Sequence, residues 1–164
     1  MDFDHAAVSQ LLDRYHQGIA LFEDAVRGVP HDRFDSPPQP GKWTARQIVC
    51  HVADSEAVAA VRYRMIAAQP GSTLTAFDQE KWANELLYGY QPWEDALRAY
   101  SSLRWHNLNM LRGLSPDAWS RSAIHEERGE NTLFGMVKHN AEHLENHAGQ
   151  VLNIRRRFAG AAVG

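Results

Sequence analysis

The stretch 4-DHAAVSQLLDRYHQGIALFEDAVRGVP-30 sets the reading of the whole chain. Val8, Leu12, Tyr15, Ile19, Phe22 and Val26 recur at spacings of three and four, with Leu11 beside them. At 3.6 residues per turn these positions share a face, so the stripe predicts a helix from about Asp4 to Arg27. Gly28 and Pro30 then end it, a glycine past the last turn followed by a proline.

The same pattern recurs along the chain. Residues 35–42 carry Pro37, Pro38, Pro40 and Gly41 and predict a loop. Thr44 with Gln47 three residues on reads as a capping box opening a second helix. Ile48, Val49, His51, Val52, Ser55, Val58, Ala59, Arg62 and Ile66 run along it to about Ala68, before Pro70-Gly71. A short helix is expected around Phe77–Leu87. Pro92 opens a third long helix with Leu97, Tyr100, Leu103, Leu108 and Leu111, ending at Gly113. Residues 120–131 are polar and read as a loop. The last helix is expected from about Thr132 to Phe158, with a frayed tail at 159–164. Four long helices and no strand give an all-α chain, read as one four-helix-bundle domain over 1–164 with its core at about 4–158. The long connection between the second and third long helices predicts a crossover.

Composition bounds the function. The chain has 164 residues, 44% hydrophobic and 23% charged, so one sizeable core is expected. Lys plus Arg number 17 against 20 Asp plus Glu, a net charge of −3, which excludes a domain-wide nucleic-acid footprint. Arg155-Arg156-Arg157 reads as a solvated helix end rather than a phosphate patch. Cys50 is the single cysteine, which removes any internal disulfide or cysteine-based zinc knuckle and suits a reducing compartment. No apolar run approaches membrane-spanning length, and the acidic start Met1-Asp2-Phe3-Asp4-His5 lacks a signal-peptide pattern. The expectation is a cytoplasmic protein with no nucleic-acid or membrane partner.

Nine histidines and five tryptophans stand out. In HNAEHLENHAGQ (139–150), His139, His143 and His147 follow one another at i, i+4 spacing. Residues four apart on a helix lie about 6 Å apart along the axis and share a face, so two imidazoles can reach one ion. His139 and His147 stand about 12 Å apart, too far to share it. The pair is therefore His139/His143 or His143/His147, with a third ligand from another helix. His51 on the core stripe of the second helix is the candidate, with Asp54 at i+3 placed to accept a hydrogen bond from a ligand or a bound water. His5, His16, His31 and His125 read as surface or loop residues. His106 also reads as surface rather than pocket wall.

The run Trp43-Thr44-Ala45-Arg46-Gln47-Ile48-Val49-Cys50-His51-Val52-Ala53-Asp54-Ser55, followed some 90 residues later by His143-x-x-x-His147, resembles the DinB-like superfamily. It is most similar to the YfiT branch of metal-dependent hydrolases and bacillithiol-transferase-like proteins. Phe77-Asp78-Gln79-Glu80-Lys81-Trp82 and Arg104-Trp105 extend the resemblance over roughly residues 20–155. The resemblance implies an up-down-down-up four-helix bundle and a metal triad at His51, His143 and His147. It also implies one divalent ion (zinc or nickel first, iron as a further option), a homodimer, and a small-molecule substrate with a low-molecular-weight thiol as co-substrate. His139 departs from the pattern as an extra histidine.

The expected function is a metal-dependent hydrolase or thiol S-transferase. Asp54 is preferred over Glu142 and Glu145 as base. Trp43, Trp82, Arg104, Trp105 and His106 are candidates for pocket walls or anion contacts, although core packing is favoured for Trp43 and Trp105. The alternative is a non-catalytic, metal-stabilised dimeric binding protein of the stress response.

Overall fold

The computed structural model describes residues 4–159. Helix α1 spans His5–Arg27, α2 Ala45–Ala68, α3 Gln79–Glu85, α4 Trp93–Arg112 and α5 Leu133–Ala159. The ends follow local chemistry. The Asp4 side chain accepts the Ala6 N–H and caps α1. At α2 the Thr44 hydroxyl accepts the Gln47 N–H, and the Gln47 amide oxygen accepts the Thr44 N–H at 2.9 Å. Asp78 caps α3 through two backbone N–H groups, which trims the predicted short helix to residues 79–85.

The four long helices form a bundle whose course is set by which pairs touch. Helix α1 packs on α5 and α4, and α2 packs on the same two, so α1 and α2 stand diagonally opposed. Arg14 reaches Glu145, and Gly28 lies against Arg155, so α1 and α5 run parallel. Tyr15 and Glu23 meet Arg104 and Ser101 of α4, an antiparallel order. His51 meets His143 while Tyr63 meets Asn140, again antiparallel. The result is up-down-down-up, with residues 69–92 carrying the chain back along the bundle between α2 and α4. Gly18 permits the close approach of α1 to α5, because a Cβ there would lie 2.7 Å from Leu144 Cδ2.

The expectation of no strand is corrected. Strands β1 (Thr73–Leu74), β2 (Ser122–His125) and β3 (Gly129–Thr132) form a small sheet in the order β1-β2-β3. β1 pairs parallel to β2 with Leu74 opposite His125, and β2 pairs antiparallel to β3. The region read as a polar loop thus contains a hairpin, turned at Gly129 with φ +70°. These strands are two to four residues long, too short for alternation to stand out from a polar background. The predicted tail at 159–164 lies outside the described residues beyond Ala159.

Two apolar clusters fill the bundle. One gathers Leu12, Tyr63, Leu108 and Met136; the other gathers Phe22, Val49, Tyr100, Leu144 and Val151. Between them lies a buried polar layer. Glu56 accepts from Arg104 Nη1 at 2.9 Å, from Asn107 Nδ2 at 2.8 Å and from the Tyr15 hydroxyl. Arg104 also donates to the Tyr15 carbonyl, and its guanidinium lies 3.7 Å from the Tyr15 ring centre. Desolvating an ion pair this deeply is costly, and the additional hydrogen bonds offset that cost.

Candidate metal centre

His51 lies on the second turn of α2, while His143 and His147 lie one turn apart on α5. Because α2 and α5 run antiparallel, the three rings meet. His143 Nε2 stands 3.1 Å from His51 Nε2 and 3.1 Å from His147 Nε2. All three offered nitrogens fall within 4.8 Å of one another, and no fourth His, Cys, Asp or Glu joins the group among the described residues. His139 is not in it: its ring centre is 6.3 Å from that of His143, and the side chain is exposed.

The donor set fits a divalent cation. Three imidazole nitrogens at about 2.1 Å from an ion in tetrahedral directions stand about 3.4 Å apart, close to the spacing seen. The His147 Nδ1–H donates to Gln150 Oε1 at 3.0 Å, so its Nε2 carries a lone pair directed at the other two rings. Three facing Nε2 atoms cannot all be satisfied by hydrogen bonds among themselves, whereas one cation satisfies all of them. The rings are also held neutral, as ligation requires. Burial, with His147 adding to it, pushes His51 down to about 3. Burial, then the charges of His147, His51 and His139, pushes His143 down to about 3. Burial lowers His147 as well, against the pull of its bond to Gln150.

Aromatic rings wall the centre. The Trp43 ring meets the His51 ring edge-on at 4.9 Å, and Phe77 lies 6.5 Å from His51 and 4.6 Å from Trp82. A cavity of about 460 Å³ opens beside His147, lined by Trp43, Gln79, Glu80, Gln150 and Asn153 among others. Trp43 therefore lines the cavity and also packs against the core, as expected for it, with its indole N–H donated to Glu80. Trp105 is 42% exposed and stacks edge-on against His16, away from the core expected for it. Arg104 is buried with its Nη1 bonded to Glu56, and it borders only a small void that His143 also lines. His106 is exposed, as expected.

Asp54 accepts the Tyr88 hydroxyl at 2.6 Å. Burial, then this carboxylate, pushes Tyr88 well up from its ordinary value. Glu142 and Glu145 turn instead toward Arg14 on α1, at 3.5 and 2.5 Å. Burial, then Asp54, pushes the Cys50 thiol up to about 11, so it is protonated and inert at neutral pH. His125 is a correction: it is buried on β2 at 1% exposure, not on the surface. Gln150 and Glu56 carried no role in the sequence reading. Gln150 was visible as a polar side chain at i+3 from His147, and Glu56 as a charge set among the apolar positions of α2.

Comparison with known proteins agrees with this architecture. The sequence model of the DinB superfamily matches residues 14–151. A Bacillus mycoides protein named "Putative metal-dependent hydrolase" is 29% identical over 153 residues, covering 91% of this chain and 88% of that protein. A Bacillus cereus protein of the same name is 29% identical over 134 residues, covering 82% and 77%. YfiT from Bacillus subtilis, described as a "probable metal-dependent hydrolase with an unusual four-helix bundle topology", superposes with a TM-score of 0.88 at 20% identity, covering 96% of this chain and 90% of that one. The mycothiol-dependent maleylpyruvate isomerase superposes with a TM-score of 0.70 at 18% identity, covering 88% of this chain and 60% of that one. With the superfamily match spanning most of its length and this bundle around it, the chain belongs to the DinB superfamily.

Proposed function

We propose that this protein is a metal-dependent enzyme in which His51, His143 and His147 hold one divalent ion, and that it hydrolyses a small substrate or transfers a low-molecular-weight thiol to one. The observation that carries the reading is the convergence of three Nε2 atoms with no fourth side-chain ligand in the group among the described residues. Structural zinc sites are closed by four protein ligands, whereas three leave a position for substrate or water. A divalent ion bound there supplies Lewis-acid polarisation and lowers the pKa of a coordinated water or thiol toward neutrality.

The chain's own residues do the rest. Gln150 fixes the His147 tautomer and aims its Nε2. Trp43 offers apolar surface to a substrate entering beside His147, and Phe77, backed by Trp82, shields the His51 side from water. Asp54, one turn along α2 from His51 and held by Tyr88, is the proposed proton acceptor. The names of the relatives support the hydrolase branch, and the name of the isomerase supports the thiol branch. Zinc, nickel and iron all accept three imidazoles, so the ligand set serves any of the three.

The test is a paired screen on zinc-, nickel- and iron-loaded protein: hydrolysis of small esters and amides, and conjugation of small thiols to electrophiles. Turnover that disappears on chelation and in the His51→Ala variant supports the proposal. Turnover that is indifferent to metal, or none in any loaded form, contradicts it.

A further inference from the structure

Beside the three-histidine cluster, on the side of the small sheet, basic side chains gather without an ion-pair contact among the described residues, although Glu126 and Glu127 stand near enough to act on them. Arg62 stands eleven residues after His51 on α2, so it lies three turns on and on nearly the same face. It is 7% exposed and forms no ion pair among the described residues. Its Nη2 donates to the Thr75 carbonyl, and its Nε has no partner. Its guanidinium lies 5.9 Å from the centre of Phe77, the ring that also faces His51. A buried arginine with no contacting carboxylate and an unused N–H is costly to keep, even with Glu127 and Glu126 opposing its desolvation.

His125 supplies a second, independent observation. Its Nδ1 accepts the Glu127 N–H at 3.2 Å. A neutral imidazole that accepts at Nδ1 carries its hydrogen on Nε2. That Nε2–H faces Arg128 Nη2 at 3.4 Å, which is also a donor. Two donors confronting each other need an acceptor that neither can provide. Protonating the ring would not help, since it would forfeit the bond from Glu127. Burial, then Arg128 and Arg62, holds the His125 pKa down, with Glu127 and Glu126 opposing less strongly. The same two arginines and His125 act on His139, against Glu142. Of these carboxylates, Glu126 accepts the Ala76 N–H at 2.8 Å, and Glu142 faces Arg14.

We propose that Arg62, His125 and Arg128, with His139 at the edge toward His143, form an oxyanion subsite that takes a carboxylate or phosphate group of the substrate. The proposal rests on the reading of the three-histidine cluster as a catalytic metal centre and narrows its substrate to a small anion. It also gives His139 a place, one helical turn from His143, with its ring centre 6.3 Å from that of His143. The hairpin that carries His125 and Arg128 is then the element that confers selectivity, and the bundle the element that holds the metal.

The test is calorimetric titration of malonate and, separately, inorganic phosphate into zinc-loaded protein at low ionic strength, with the His125 ring signals followed by NMR. One saturable site that shifts His125 is expected for at least one anion, and the anion that binds identifies the group recognised. Affinity should fall at least tenfold in Arg128→Gln, which alters an exposed hairpin residue, and in Arg62→Gln. It should stay within twofold of wild type in Arg157→Gln at the far end of α5. No saturable binding, or arginine variants within twofold of wild type, would overturn the subsite. Zinc content and anion affinity are read on the same His51→Ala sample. Zinc lost with anion binding kept supports a subsite separate from the ion. Anion binding lost there but kept in Arg128→Gln places the anion on the metal and overturns the subsite. A wild type that takes up no zinc yet binds the anion with the expected variant effects refutes the metal reading and leaves the subsite standing.

Discussion

His147 and Gln150 are joined by a 3.0 Å hydrogen bond from the imidazole Nδ1–H to the amide oxygen, and this bond aims the opposite nitrogen at His51 and His143. Removing the bond frees the ring to rotate and to change tautomer. Gln150→Leu is expected to weaken zinc affinity by about tenfold to a hundredfold. Gln150→Glu retains an acceptor and should stay close to wild type. Competition with a chromophoric chelator measures both.

The buried layer at Glu56 and Arg104 makes a second prediction. Glu56→Ala leaves the Arg104 charge without its carboxylate inside the bundle, and a cost of about 3–5 kcal/mol is expected. The double variant Glu56→Leu, Arg104→Met removes both charges and should cost less than the single one. Urea denaturation of metal-free protein reads the difference; a single variant near wild type would contradict the account.

The histidine centre also couples stability to pH. Unfolded histidines titrate near 6.5, whereas His51 and His143 are pushed down to about 3 in the fold. Between these values the unfolded chain binds protons that the folded chain refuses, so stability falls as pH falls through that window and does not respond above it. Metal-free protein should lose about 1 kcal/mol for each of the two rings between pH 7.5 and 5.5. His51→Gln should show a smaller loss. Identical urea midpoints at the two pH values would contradict burial of neutral rings.

Cys50 should behave as a core residue. It is 1% exposed and its pKa is pushed up to about 11. A thiol reagent at pH 7.5 should leave native protein unlabelled over a period in which urea-unfolded protein reacts completely. Rapid native labelling would mean that the Cys50–Tyr88 contact opens.

The bundle was legible because its signals are local. The stripe from Val8 to Val26, the Thr44–Gln47 box and the Gly28 stop each reflect interactions within a few residues. The histidines were legible as a spacing on α5 and a core position on α2, but the choice of His143/His147 came from family resemblance rather than from geometry. What stayed hidden depends on partners far apart in sequence. Arg104 occupies the α4 stripe between Tyr100 and Leu108, and its burial follows from Glu56, 48 residues away. His125 is buried because β1 returns to pair with β2, a pairing too short to leave a periodic trace. Trp105 was expected in the core, yet its helix position turns it outward against His16.

The most direct measurement is elemental analysis of untagged protein purified without metal-affinity resin, wild type beside His51→Ala. About one first-row metal per chain in the wild type, lost in the variant, is the predicted result. A wild type that carries no metal and takes up none on addition of zinc, nickel or iron would contradict the three-histidine centre.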